Sequence, residues 1–348
     1  MKPLRVAQVA PNIFPTPPDL SGGTERIVHD LSKALDSLGV SVTLFAPSDS
    51  RCDIPRIGTL PSLKGLEERH GAVPPSIPQV LEAVQMEELR RRLSDFDIVH
   101  CHGEFFHAAL LGERRRHSLT TIHWRVDELD RELFFAAFPD LPVAGISQSQ
   151  LDRIPAANRA GVVHHGLDET RYRAGPGDGG YAAFVGRMTD QKQPDAAIRI
   201  AQAAGMPIRL AGAVDVGNPT YFDEKVAPLL GEDARFVGPV DDAGKQALLG
   251  AATALLFPID WPEPFGLVMI EAMACGTPVI AFDRGSVPEI VEDGVTGLVV
   301  RDEAEAAAAL RKIGTLDRDA IRARFEARFT ARRMAEDYLR LYRELLAR

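Results

Sequence analysis

The feature that most constrains this chain is an alternation of short apolar strands with amphipathic helices, met once in each half. The apolar run Val6 to Ala10 leads into a Pro-rich loop (Pro11, Pro15, Pro17, Pro18) that ends at Gly22-Gly23. Thr24 is a predicted helix cap, and Ile27, Val28, Leu31, Ala34 and Leu35 then recur on one helical face until Gly39 stops the pattern. A second strand, Val42 to Ala46, follows. Strand, helix, strand is the unit of a parallel sheet, because the crossover helix must return the chain to the same edge. The strand patterns Asp97 to His100, Leu119 to Ile122, Pro142 to Ile146 and Gly161 to His165 continue the first half. The second half restarts with Tyr181 to Val185 and a helix from Ala196 to Ala204. Strands at Pro207 to Ala211, Arg235 to Val237, Ala254 to Phe257, Val279 to Phe282 and Gly297 to Val300 complete it. The last segment, Ala331 to Leu346, carries Met334, Tyr338, Leu341, Tyr342 and Leu345 at helical spacing. The expected organisation is α/β: a first domain over 1–168, a Gly-rich linker over 169–180, a second domain over 181–330, and a closing helix over 331–348.

The 348 residues are too many for one ordinary core and suit two domains. The net charge of -9 disfavours a nucleic-acid partner, so any phosphate site must be local. The three cysteines, Cys52, Cys101 and Cys275, have neither disulfide-framework nor metal-site spacing. The chain opens directly on a strand pattern with no apolar leader, and its longest apolar stretch is too short to span a bilayer. A cytoplasmic location, with membrane contact at most peripheral, is the expectation.

The most informative segment runs from Trp261 to Val279, WPEPFGLVMIEAMACGTPV. Its prolines hold an extended loop, and a helix can begin near Phe265 and must end by Gly276. The first N–H groups of such a helix point, with the positive end of its dipole, at whatever lies in front, and an anion such as a diphosphate fits there. Glu263 precedes the helix and Glu271 lies in its second turn, and either carboxylate could accept two hydroxyls. An isolated pair of this kind reads as solvated charge. Here the apolar neighbours Met269, Ile270, Ala272, Met273 and Ala274 imply a buried helix, on which a carboxylate needs a partner. The second segment is Val185 to Asp195, just past a strand end, where α/β folds place ligands. Arg187 can fork onto phosphate oxygens and Lys192 adds a mobile charge, although alone they would pass for two ordinary cations of a solvated loop.

Together these residues resemble the retaining GT-B glycosyltransferases of family 4. The Glu263 to Glu271 spacing, with seven residues between, resembles the family's E-x7-E motif. Gly186-Arg187 and Lys192 resemble its donor-phosphate loop, and Gly22-Gly23 its first-domain glycine loop. Thr121-Ile122-His123 resembles its Thr-x-His segment, and His165-Gly166-Leu167-Asp168 its domain-junction turn. The resemblance implies two Rossmann-like domains with parallel sheets facing across a cleft, and transfer of a sugar, a hexose in the first instance, from a nucleoside-diphosphate sugar without metal or other cofactor. It assigns Arg187, Lys192, Gly186 and the backbone of Gly266, Leu267 and Val268 to the donor diphosphate, Glu271 to the ribose, and Phe265 to the donor site as well. Glu263 would face the transferred sugar, His123 would lie near it, and Gly22-Gly23 would close over the phosphates. Glu263, His123, Arg187 and Lys192 are thereby the expected catalytic set. Neither Lys192 nor Glu271 is expected to hold the fold. Gln193 departs from the glycine common at its position, and His165 from the common asparagine. The acceptor, whether carbohydrate, lipid or small metabolite, is not legible. A sugar-nucleotide epimerase on the same fold, or a protein that binds sugar nucleotide without turnover, are the alternatives.

Other features read as structural. Asp95-Phe96-Asp97 looks like a metal-binding D-x-D but lies away from the phosphate residues. His100 and His102 share one strand face without a third ligand and are expected to line the cleft. The arginine runs 90–92 and 114–116 have glutamates nearby and read as solvated helix faces.

Overall fold

The computed structural model describes residues 2–19, 22–103 and 105–348. The chain forms two compact units, Met1–Asp168 with Ala331–Arg348, and Glu169–Thr330. The first unit is built on β1 (Arg5–Val9), β2 (Ser41–Phe45), β3 (Arg56–Ile57), β4 (Ile98–Cys101), β5 (Ser118–Thr121), β6 (Val143–Gly145) and β7 (Arg159–Val162). They form one parallel sheet in the order β3-β2-β1-β4-β5-β6-β7. The second unit holds β8 (Ala182–Val185), β9 (Ile208–Ala211), β10 (Ala234–Gly238), β11 (Ala254–Phe257), β12 (Val279–Phe282) and β13 (Gly297–Val300). These run parallel in the order β10-β9-β8-β11-β12-β13. Each sheet is doubly wound: the chain builds outward from a first strand, then returns and builds the other way. The reversal falls between β1 and β4 in one unit and between β8 and β11 in the other, and it is at such reversals that folds of this class place ligands.

Strands fully buried on both faces, such as β4, β5, β11 and β12, explain the apolar runs read from the sequence. In the second unit Phe184, Ile198, Leu210, Leu256 and Ile280 form the core under the helices Pro194–Ala204 and Glu303–Leu310. In the first, Phe45, Phe96, Val99 and Leu111 form one cluster and Phe134, Val143 and Ile154 another. The final helix, Ala331–Ala347, belongs to the first unit, where it packs on the helix Gly23–Ser37 and buries Met334, Tyr338, Tyr342 and Leu345.

Several local expectations are corrected. Thr24 does not cap its helix; Gly22 occupies that position and Thr24 lies inside the first turn. The strand expected over 161–165 is Arg159–Val162, because the carbonyls of His164 and His165 leave the ladder to accept from the Arg333 guanidinium at 2.7 and 3.0 Å. The Gly-rich segment read as a linker is tied down on the second unit. Gly175, Gly177 and Gly179 donate to the carbonyls of Cys275, Gly250 and Ala251, each at 2.9 Å. No helix among the described residues is long and apolar enough to cross a membrane.

Candidate functional site

In the second unit the reversal of strand order brings two loops together. One leaves β8 and carries Gly186, Arg187 and Lys192; the other leaves β11 and carries Trp261 and Glu263. They are tied by Asp260 N–H donating to the Gln191 carbonyl at 3.1 Å. Lys192 Nζ donates to Glu263 Oε2, and the Trp261 indole N–H donates to the same oxygen at 2.8 Å. The pair is largely out of water, with side-chain exposures of 17% and 9%. The ammonium also lies 5.0 Å from the Trp261 ring centroid and 5.7 Å from that of Phe257, so aromatic faces help to hold it. Gln193, next to Lys192, has φ 54 and caps the helix Pro194–Ala204 in the left-handed region. A glycine would adopt that conformation without strain, which explains why glutamine is the departure there.

The helix Leu267–Ala274 starts beside this pair. Gly266 caps it at φ 79, and among the described residues no side chain bonds its first N–H groups. Leu267 and Val268 are half-buried at that end. Phe265, assigned by sequence to the donor, turns its ring inward against Phe329 at 6.3 Å, so only its backbone faces the helix start. Its carbonyl accepts from the Ser286 hydroxyl at 2.9 Å, and the Glu263 carbonyl accepts from Ser286 N–H at 3.0 Å. Gly285 makes this clamp possible: at φ 55 a Cβ there would lie 2.4 Å from the Glu263 carbonyl oxygen.

Glu271 lies on the same helix and is 5% exposed. Its Oε1 accepts from Lys245 Nζ at 2.7 Å and from the Tyr172 hydroxyl at 3.4 Å. Both contacts use one oxygen, Oε1. Lys192 and Glu271, neither expected to hold the fold, are each half of an ion pair that is largely out of water. Arg187 is exposed and pairs with Asp215 at 3.4 Å. Lys245, Tyr172 and Gly285 were not legible: 26 residues separate Lys245 from Glu271, and no local pattern links them. Trp261, two residues before Glu263, could have been read as an indole donor to that carboxylate.

The remaining predicted residues lie in the first unit. Gly22 and Gly23 begin the helix after β1. His123 follows β5; its Nε2 is 2.8 Å from His102 Nδ1, and its ring stacks on His165 at 5.0 Å. Burial lowers its pKa to about 3, so the imidazole is neutral at ordinary pH. His100 and His102, expected to line a cleft, are 0% and 4% exposed and hydrogen-bonded within the unit. Among the described residues no group of three or more His, Cys, Asp or Glu is placed to hold a metal ion. Asp97 of the D-x-D is bound by Arg5 through its backbone N–H at 2.9 Å and its guanidinium at 2.8 Å. Arg90 and Arg91 pair with Glu87, whereas Arg115 pairs with Asp140 and Arg114 donates to the carbonyls of Leu93 and Phe96. The second arginine run thus ties elements together; it is not a solvated helix face.

Two doubly wound parallel sheets in these strand orders are the architecture of the GT-B glycosyltransferases. The comparisons agree. The model of glycosyl transferases group 1 matches residues 171–329, and that of glycosyltransferase family 4 matches 21–171. The chain belongs to this family. It is 27% identical over 340 residues to a D-inositol 3-phosphate glycosyltransferase of Rhodococcus erythropolis, spanning 81% of this chain and 75% of that one. A protein of the same name from Kribbella flavida is 28% identical over 355 residues, 83% of this chain and 82% of that one. Among solved structures, a glycosyltransferase involved in avilamycin A biosynthesis superposes with TM-score 0.75 at 25% identity, covering 99% and 98% of the two chains. A sucrose-phosphate synthase from Thermosynechococcus elongatus gives 0.76 at 22% identity, covering 99% of each.

Proposed function

We propose that this chain moves a hexose from a nucleoside-diphosphate sugar to an acceptor hydroxyl, with retention at the anomeric carbon and without a metal or other cofactor. The observation that carries the reading is the meeting of Lys192, Glu263 and the start of helix Leu267–Ala274 at the strand-order reversal of the second unit. When the anomeric bond breaks, the departing diphosphate gains negative charge. Lys192, Arg187 and the first backbone N–H groups, those of Gly266, Leu267 and Val268, supply a fixed positive field for it. Gly186 lets that loop approach. Glu271 Oε2 accepts from the ribose, and Glu263 faces the sugar while holding Lys192. The family resemblance supports Gly22-Gly23 at the phosphates and His123 at the sugar. A solved Anabaena relative of the same fold was crystallised with UDP-glucose, which makes that compound a reasonable first donor. The names of the two curated relatives make an inositol phosphate a reasonable first acceptor. The work would be done in the cytoplasm.

The test is to incubate the protein with UDP-, GDP- and ADP-hexoses, with and without chelator, and to follow release of nucleoside diphosphate and the anomeric configuration of the product. Chelator-insensitive release, with an α-linked product from an α-linked donor, is expected. Release that stops with chelator and returns with manganese, or an inverted product, overturns the mechanism. Conversion of the donor to its epimer would favour the epimerase alternative.

A further inference from the structure

A single run of hydrogen bonds crosses the interior of the first unit and ends on His123. The Tyr342 hydroxyl, on the final helix, lies 2.7 Å from His100 Nδ1 and accepts from Gln8 Nε2 at 2.9 Å. Gln8 Oε1 lies 2.8 Å from His102 Nε2, and His102 Nδ1 lies 2.8 Å from His123 Nε2. At the other end His100 Nε2 lies 2.8 Å from Thr121 Oγ1, which lies 2.9 Å from the Tyr338 hydroxyl. Gln8, His100, Thr121, Tyr338 and Tyr342 are all 0% exposed, so no bulk water completes their bonds.

With the Gln8 amide oxygen turned toward His102 and its nitrogen toward Tyr342, the protons follow by elimination. An amide oxygen only accepts, so His102 Nε2 carries a proton. Burial holds both His102 and His123 neutral, so each ring has one N–H. His102 Nδ1 is then bare, and the proton in the bond between the two histidines belongs to His123 Nε2. The same order continues backward: Tyr342 accepts from Gln8, gives its own proton to His100 Nδ1, and leaves His100 Nε2 to donate to Thr121.

We propose that Tyr342, Gln8 and His102 are positioning residues that hold His123 as its Nε2–H tautomer and so reserve Nδ1 as an acceptor for a sugar hydroxyl. The relay itself is a property of the first unit; its use on a sugar rests on the function proposed above. A neutral imidazole whose one N–H is already spent can accept from a hydroxyl but cannot donate to one. The site therefore selects a ligand that brings an O–H to this ring, and discriminates against a deoxy analogue there by roughly two- to tenfold, the worth of one neutral hydrogen bond.

The test is nitrogen NMR of the full chain labelled at histidine, with His123 assigned by its absence in His123→Gln. The expected wild-type spectrum shows a protonated Nε2 and a bare Nδ1 on His123. Rotating the Gln8 amide by half a turn would reverse every proton in the run and put the His123 proton on Nδ1, and observing that overturns the proposal. Tyr342→Phe removes one hydroxyl 219 residues from His123 in sequence. It frees the Gln8 amide to turn, so a mixture of both His123 tautomers is expected, with KM for UDP-glucose raised roughly two- to tenfold. A Tyr342→Phe protein with the wild-type tautomer overturns the relay. If the tautomers behave as stated but wild-type protein neither binds nor turns over any nucleoside-diphosphate hexose, the functional reading fails and the relay stands.

Discussion

Replacing Lys192 by methionine separates its two roles. The change keeps the stem against Phe257 and Trp261 but leaves the Glu263 carboxylate, on a side chain 9% exposed, with the Trp261 N–H at 2.8 Å as its remaining strong donor. Breaking a fully buried pair from one side costs about 3–5 kcal/mol. Residual exposure of Lys192 and the retained indole bond reduce this to about 1–3 kcal/mol. For a unit of this size each kcal/mol is worth about 2–4 °C, so its thermal transition should fall by about 2–12 °C. Glu263→Gln alone should cost less, because the long lysine stem can carry its charge to solvent. The double variant should be more stable than the two single losses summed, with a coupling of about 1–2 kcal/mol. Turnover should behave differently. Loss of a charge that stabilises the leaving diphosphate costs about 2.7–4 kcal/mol in the barrier, a hundredfold to a thousandfold in rate, and the double variant should not regain it. Calorimetric melting of the four proteins in the cycle, with single-turnover rates at saturating donor, measures both. A Lys192→Met protein that melts like wild type refutes the buried-pair argument. One that keeps wild-type turnover at saturation refutes the leaving-group assignment.

Glu271→Gln should weaken UDP binding by about 1.5–3 kcal/mol, the worth of hydrogen bonds to a charged group, while kcat at saturating donor holds. Titration calorimetry with UDP beside saturated rates checks this, and a kcat loss larger than the affinity loss counts against a ribose role. Gly285→Ala should cost about 2–4 kcal/mol and lower activity, since it adds left-handed strain to a clash with the Glu263 backbone; a thermal melt unchanged from wild type would show the clamp is soft. The first unit should lose stability as pH falls below 6.5. His100, His102 and His165 are held well below that ordinary value by burial, His107 near 4 and His123 near 3. The unfolded chain therefore binds more protons than the folded one, and the stability is complete only above the unfolded pKa. Glu25, pushed up to about 6 by burial, acts in the opposite sense, one group against five. Melts of the first unit between pH 7.5 and 5 should show the decline, and a rising stability over that range contradicts it.

What the sequence determined by itself was the class of fold and the residues of its most informative loops. Strand and helix periods are local properties, so every strand but β3 could be read within a few residues at each end, whereas the two-residue β3 and the helices Leu63–His70 and Ile77–Arg90 went unread. The segment from Trp261 to Thr277 could be read for the same reason: helix start, helix end and both glutamates lie within one short stretch. Boundaries slipped where a distant group intervened, as Arg333 does when it takes the carbonyls of His164 and His165 out of β7. Only the tertiary structure decided which side chains meet. It joined Lys192 to Glu263, Lys245 to Glu271, and Tyr342 through Gln8 and His102 to His123. These contacts span 71, 26 and up to 334 residues of chain. No period or motif encodes such separations. They arise because buried polar groups must find partners, and the partners available are set by which strands the sheet lays side by side.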